Sequence, residues 1–167
     1  MLINGAAGGV GTFAVQIAKS MGAHVTGVCS TPNVELVRSL GADDVVDYTT
    51  EDFVRSRARY DVIFDLIGNR SLTELRRVMT PKGTAVLIGG GGIGHLIRAL
   101  FLNPFVSQRL VSLMAKIDRE SLSAVAELAE AGKLTPVVDR TYPLNEAADA
   151  IRYLETGHAR GKVVVVV

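Results

Sequence analysis

The sequence predicts an α/β fold, a doubly wound parallel sheet with helices on its two faces. Three observations carry that prediction. Short apolar runs alternate with segments of helical periodicity from the first residue onward. The connections between them are short and marked by glycine or proline. The first run opens directly onto a glycine-rich loop and then a helix, "INGAAGGVGTFAVQIAK" (3–19).

Each element follows in order. Leu2-Ile3 opens as a strand. Val10, Ala14, Ile17 and Met21 recur at helical spacing, and Gly22 marks the stop. "HVTGVC" (24–29) is a second strand, rich in β-branched residues. Thr31 offers a hydroxyl N-cap and Pro32 needs no amide donor, so a helix starts there. Leu36, Val37 and Leu40 form its apolar face, and Gly41 ends it. "DVVDY" (44–48) is a third strand. "YDVIFDLIG" (60–68) is a fourth, with an apolar run suited to burial on both faces.

A helix is expected over 70–79, closed by "TPKG" (80–83), with "TAVLIGG" (84–90) as the fifth strand. "LVSLMA" (110–115) reads either as a sixth strand or as a helix end. Asp118 caps a helix with apolar positions Leu122, Val125, Leu128 and Ala129, stopped by Gly132. "TPVVD" (135–139) is a strand, and Asn145 caps a helix running through Leu154, which Gly157 stops. "KVVVVV" (162–167) is a closing strand too apolar to lie exposed. One domain, 1–167, accounts for the chain, with 133–167 as a C-terminal strand–helix–strand segment.

Composition narrows the functional classes. The 167 residues suffice to bury a core, and 48% apolar with 21% charged residues is ordinary for a globular protein. A net charge of +1 argues against nucleic-acid and membrane-surface partners. Cys29 is the one cysteine, so no internal disulfide forms and a reducing compartment, the cytoplasm, is expected. The opening "MLINGAAG" lacks the features of a signal peptide. Arg98, Pro104 and Arg109 interrupt the most apolar long stretch, 93–115, which argues against a membrane span.

The loop Gly5-Ala6-Ala7-Gly8-Gly9-Val10-Gly11 carries the chemistry. Gly8 permits close backbone approach to a diphosphate, and Gly11 lets the helix pack tightly on the strand. Amides around Gly9 and Val10, with the positive end of the helix dipole, favour an anion. Ala6 stands where G-x-G-x-x-G has its first glycine, so context carries the dinucleotide reading. A second glycine run, Gly89 to Gly94, either lines the far half of the same crevice or is a plain connector. No Gly-Lys-Ser/Thr follows the glycines, which excludes a P-loop NTPase. A methyltransferase with a sulfonium cofactor shares the glycine placement and is the rival fold-mate.

No carboxylate lies between Val28 and Pro32, where an NAD site places an acid for the ribose 2′-hydroxyl. The omission counts against the methyltransferase and removes repulsion of a 2′-phosphate. Ser30 and Thr31 can donate to that phosphate, and Asn33 and Tyr48 are further candidates. No Lys or Arg sits in the loop itself, and Arg38 is a turn or more away. NADP is therefore favoured, with NAD possible. Ala7, Asp65, Ile67, Ile88, Gly89 and Gly90 complete the candidate cofactor set with the first-loop glycines and Val10. Asp65 either faces the adenosine side or is a hydrogen-bonded turn carboxylate.

The segments "NGAAGGVGTFAVQIAKSMGAHVTGVCST", "LGADDVVDY", "YDVIFDLIG", "MTPKGTAVLIGG" and "EAGKLTPVVDRTYPLNEAADAIRYLETGHARGKVVVVV" resemble the medium-chain dehydrogenase/reductase superfamily. The branch they resemble is that of the zinc-independent quinone oxidoreductases. The resemblance implies a Rossmann-type cofactor domain and hydride transfer between NADP(H) and a small carbonyl, enone or quinone, without metal. Gly5, Gly8 and Gly11 match the branch's A-x-x-G-x-x-G loop, with glycine replacing the first alanine. Asn33 stands where a lysine often meets the 2′-phosphate, and Tyr48 matches the branch's tyrosine. The resemblance also implies a substrate domain ahead of the cofactor domain, which this chain does not contain, with 133–167 returning toward it. The alternative is a cofactor-binding module that does not turn over alone. A homodimer is expected, through edge strands at Val111–Met114 or Val163–Val167.

Hydride transfer to a quinone or activated alkene needs little acid–base help, so no catalytic side chain is assigned. His24 is expected at the surface. His95 is the histidine nearest the expected crevice. His158 follows a helix stop, and solvated charge is the reading for Arg160 and Lys162, with a phosphate contact as the alternative. Cys29 is expected in the core, whereas Met114 and Ala115 either approach the nicotinamide or pack.

Overall fold

The computed structural model describes residues 1–88, 107–112 and 118–167. Gly89 to Gly94, His95, Met114 and Ala115 lie outside the described residues. Strands β1 (Leu2–Asn4), β2 (Thr26–Cys29), β3 (Asp44–Asp47), β4 (Tyr60–Asp65), β5 (Met79–Leu87) and β6 (Arg109–Ser112) form one sheet. Its order is β3-β2-β1-β4-β5-β6, and every pairing is parallel. The chain starts at the centre, winds outward through β3, then returns to fill the other half. The reversal falls between β1 and β4, where a doubly wound sheet opens a crevice at its strand ends.

β1 explains its own apolar run. Leu2 and Ile3 are both 0% exposed yet belong to cores on opposite faces. Leu2 joins Val28, Ile63, Leu75 and Val78 on one side. Ile3 joins Ala6, Val15, Ala18, Val25 and Val37 on the other, beneath helices α1 (Gly11–Ser20) and α2 (Val34–Ser39). Asp43 staples this layer by accepting from Lys19 Nζ at 2.8 Å and from the Val25 amide at 2.7 Å. The Lys19 hydrogen bond, then that of Val25, holds its carboxyl at about 2.

The packed face of α1 differs from the expected one. Gly11, Thr12, Val15 and Ala18 are buried, whereas Val10 is exposed and Met21 is 80% exposed. Small residues win the inner face because the helix lies too close to the strand for larger ones. At α2 the Thr31 hydroxyl does not cap: it donates to Asp47 Oδ2 at 2.6 Å, and residues 31–33 make a 3-10 turn. A carboxylate from the neighbouring strand outcompetes the helix amides.

The helix expected over 70–79 narrows to α3 (Leu72–Arg77), held by a Ser71–Glu74 capping box. Glu74 N donates to Ser71 Oγ, and Ser71 N donates back to Glu74 Oε2 at 2.9 Å. "TPKG" is extended rather than a turn, because β5 begins at Met79 and pairs with Tyr60 before a register shift. "LVSLMA" resolves as strand β6 over its described part. Asp118 caps α4 (Arg119–Glu130) through the Ser121 amide at 2.9 Å, as expected, but no residue of α4 is buried.

β7 (Val138–Pro143) starts later than "TPVVD" suggested and pairs in parallel with β8 (Lys162–Val166) as a separate two-stranded sheet. Asn145 lies in a 3-10 turn over 144–146 and caps nothing, and α5 (Ala147–Glu155) follows. β8 contradicts the expectation of burial, since Val166 is 52% exposed. Its apolar side chains outnumber the surface that β7 and α5 can cover.

Candidate functional site

A cavity of about 440 Å³ opens at the ends of β1, β2 and β4. Its first wall is the glycine loop, through Gly5, Ala7 and Gly8. Gly5 is left-handed at φ +89°, and the amides of Gly5 and Ala6 both donate to the Val28 carbonyl at 3.2 and 3.0 Å. That turn points the Gly5 carbonyl at α1, where a Cβ on Gly11 would stand 2.0 Å from it. The Gly8 amide turns inward onto the same carbonyl at 3.1 Å.

The next amides are different. Those of Gly9, Val10 and Gly11, which follow the wall residue Gly8 but do not themselves line the cavity, meet no acceptor among the described residues, and the N-cap Val10 supplies no capping side chain. The first turn of a helix carries orphan donors and a partial positive charge, which together bind anions. α1 has no acidic residue in its first turn to compete.

Beneath the loop, Asn4 Nδ2 donates to Asp65 Oδ1 at 2.8 Å and to Asn69 Oδ1 at 3.2 Å. Asp65, 1% exposed, also accepts the amides of Ile67 and Gly68 at 3.2 and 3.0 Å. Of its two expected roles, these hydrogen bonds give Asp65 that of a turn carboxylate, and it is not among the residues lining the cavity. Thr31 is likewise absent from the wall, with its hydroxyl held by Asp47. The Thr31 hydrogen bond, with those of Thr49, keeps the Asp47 carboxyl below its ordinary range. Ile88 is also off the wall, its amide donating to the Asp65 carbonyl at 2.9 Å. Gly89 and Gly90 fall outside the described residues.

Ser30, Asn33, Tyr48 and Ile67 do line the cavity. Asn33 Nδ2 donates to Ser30 Oγ at 3.1 Å, and its Oδ1 is buried without a partner. Cys29 lines it too, but burial, then the charge of Asp47, pushes its thiol up to about 11. A neutral thiol is no nucleophile.

Sequence reasoning missed Arg70 on the opposite wall and gave Arg160 a phosphate contact only as the alternative to solvated charge. Arg70 lines the cavity, ion-paired to Asp52 at 3.0 Å and lying 5.4 Å over the Phe53 ring. The loop Gly157 to Arg160 closes the other side. It docks on the glycine loop, where Gly161 N donates to the Ala7 carbonyl at 2.9 Å. Gln16 of α1 and Thr135 exchange two hydrogen bonds of 3.0 and 2.8 Å beside it. Among the described residues the wall therefore presents Arg70, paired to Asp52 behind it, with His158 and Arg160 and no carboxylate. A visible signal existed for this loop, in the basic "GHARGK" bracketed by glycines.

A doubly wound sheet with an uncapped helix beside a carboxylate-free cavity at its reversal point defines a Rossmann-type fold. Residues 40–165 match the family model described as zinc-binding dehydrogenase. The chain belongs to that family, in the quinone oxidoreductase branch of the medium-chain dehydrogenase/reductase superfamily. It is 38% identical to the mitochondrial NAD(P)H oxidoreductase RTN4IP1 of Mus musculus, over 98% of this chain and 47% of that protein. It is 38% identical to the chloroplastic NADPH-dependent alkenal/one oxidoreductase of Arabidopsis thaliana, over 99% of this chain and 39% of that one. The quinone oxidoreductase of Coxiella burnetii superposes with a TM-score of 0.88 at 31% identity, over 99% of this chain and 52% of that one. The chain thus spans about half the length of the curated relatives it matches.

The family name implies zinc. Among the described residues no group of three or more His, Cys, Asp or Glu side chains could hold a metal ion, so these residues do not fit a zinc site. No described helix is long and apolar enough to cross a membrane.

Proposed function

We propose that residues 1–167 form one coenzyme-binding domain of an NADP(H)-dependent, zinc-free oxidoreductase of quinone-reductase type. The reaction is hydride transfer between nicotinamide and a small carbonyl, enone or quinone. One observation carries this reading: the uncapped amides of α1 follow directly on Gly8, which lines a cavity whose described wall carries Arg160 and the Asp52-paired Arg70. Such a wall suits a polyanion. The names of the relatives, which include an NAD(P)H oxidoreductase and an NADPH-dependent alkenal/one oxidoreductase, support the coenzyme and acceptor classes.

The bound nicotinamide supplies the hydride. The chain's own residues bind and orient. The amides of Gly9 and Val10 would hold the diphosphate, and Arg160 would supply a cation to it. Pro32 and Ile67, on the cavity wall, would offer apolar contact to the adenine. Ser30, Asn33 and Tyr48 serve the ribose and its 2′-phosphate. NADP is favoured because no carboxylate follows β2 and the nearby Asp47 is already engaged by Thr31 and Thr49. The edge position of β6 supports a homodimer, and the lone, buried Cys29 fits a reducing compartment such as the cytoplasm. A second reading is a module that binds coenzyme without turnover, and the half-length match to the relatives fits it only weakly.

Titration with NADPH and NADH, followed by fluorescence, tests the binding step. NADPH is expected to bind more tightly, and no response to either nucleotide would overturn both readings. Quinone-dependent NADPH oxidation then separates them: turnover supports the enzyme, and binding without turnover supports the module.

A further inference from the structure

Asp139 and Tyr153 stand outside the cavity wall, yet they hold the loop that closes it. Asp139 Oδ2 accepts from Tyr153 Oη at 2.6 Å and from the Arg160 amide at 2.9 Å. The Arg140 guanidinium lies 4.0 Å over the Tyr153 ring and pins it from a third direction. The loop runs between two left-handed glycines, Gly157 at φ +71° and Gly161 at φ +78°. Gly161 leaves no slack, since a Cβ there would stand 2.4 Å from the Val137 carbonyl. The far end of the loop is thus fixed by backbone packing, and Asp139 sets where the Arg160 main chain sits.

We propose that Asp139 and Tyr153 are positioning residues for coenzyme binding, which set the reach of the Arg160 guanidinium into the cavity through the Arg160 amide. This rests on the coenzyme reading above. A carboxylate accepting two donors is well suited to the task, because charge-assisted hydrogen bonds are short and directional. Burial works to raise the Asp139 pKa, but Tyr153, the Arg160 amide and the charges of Arg140 and Arg160 outweigh it and leave it lowered. The carboxylate is therefore ionised through the neutral range.

The test is a double-mutant cycle on the full chain, read as NADPH affinity by fluorescence alongside thermal melts. Asp139→Ala and Tyr153→Phe are each expected to raise the NADPH Kd about five- to tenfold, and Arg160→Ala about tenfold or more. Tyr153→Phe keeps the ring beneath Arg140, so it carries the test should Asp139→Ala fail to fold. Combining Tyr153→Phe with Arg160→Ala is expected to bind no worse than Arg160→Ala alone, because a misplaced loop then has no guanidinium to misplace. A purely structural role would make the losses multiply, and that result overturns the proposal. So does unchanged binding in Tyr153→Phe or in Arg160→Ala. Wild-type protein that binds neither nucleotide would overturn the coenzyme reading itself, whereas normal wild-type binding with insensitive variants overturns only the positioning role.

Discussion

Gly11→Ala is expected to destabilise the chain by about 3 kcal/mol, roughly a 6–12 °C fall in Tm for a domain of this size. The added Cβ would stand 2.0 Å from the Gly5 carbonyl oxygen and 2.8 Å from the backbone C and Cα of Ala6. All three are main-chain atoms, so no rotamer change relieves the clash. Either α1 lifts from the sheet or the Gly5 turn opens and abandons its hydrogen bonds to Val28. The first route loosens Val15 and Ala18, which are buried against Ile3 and Val25. Chemical denaturation measures the loss, and a midpoint unchanged from wild type would mean that the close seat of α1 does not exist.

Gly8→Ala is expected to do the reverse. Its Cβ would meet the Gly5 carbonyl at 3.5 Å, an ordinary contact, and its backbone is not left-handed, so the fold should melt as wild type. Gly8 lines the cavity, however, and a methyl there occupies the space in which a diphosphate would approach the amides. The NADPH Kd should rise about a hundredfold, equivalent to roughly 2.7 kcal/mol. Fluorescence titration beside a thermal melt reads both quantities. Tight NADPH binding by Gly8→Ala would place the diphosphate somewhere other than this loop. The two glycines, three residues apart, thus separate folding from binding.

Much of this architecture was legible because buried parallel strands carry short apolar runs bounded by turn signals, such as Leu2-Ile3 in β1 and Val62-Ile63-Phe64 in β4. β1, β2 and β4 read as strands for that reason, and the crossovers demanded their parallel arrangement. What misled were positions where two local preferences compete. Thr31 is a good N-cap in isolation, but Asp47 reaches its hydroxyl from another strand. "TPKG" has the composition of a turn, yet β5 carries it in extended form beside Tyr60. The inner face of α1 escaped notice because hydrophobic periodicity weights large residues, while close packing on a strand selects small ones.

The site divides along the same line. Gly5, Ala7 and Gly8 were visible because a strand–loop–helix motif is local in sequence. Arg70 was not, and Arg160 was only an alternative, because long-range packing brings both to the crevice. Asn4 meets Asp65 across 61 residues of chain, and Gln16 meets Thr135 across 119. No periodicity records such pairings. The basic character of "GHARGK" could be read, but solvated charge was the ordinary reading until the loop was seen docked on Ala7.

The most direct test of the central claim is a crystal structure of the chain with NADPH bound. The account predicts diphosphate oxygens within hydrogen-bond distance of the Gly9 and Val10 amides, with the Arg160 guanidinium on the opposite side. A diphosphate seated elsewhere, with those amides donating to protein acceptors, would contradict it.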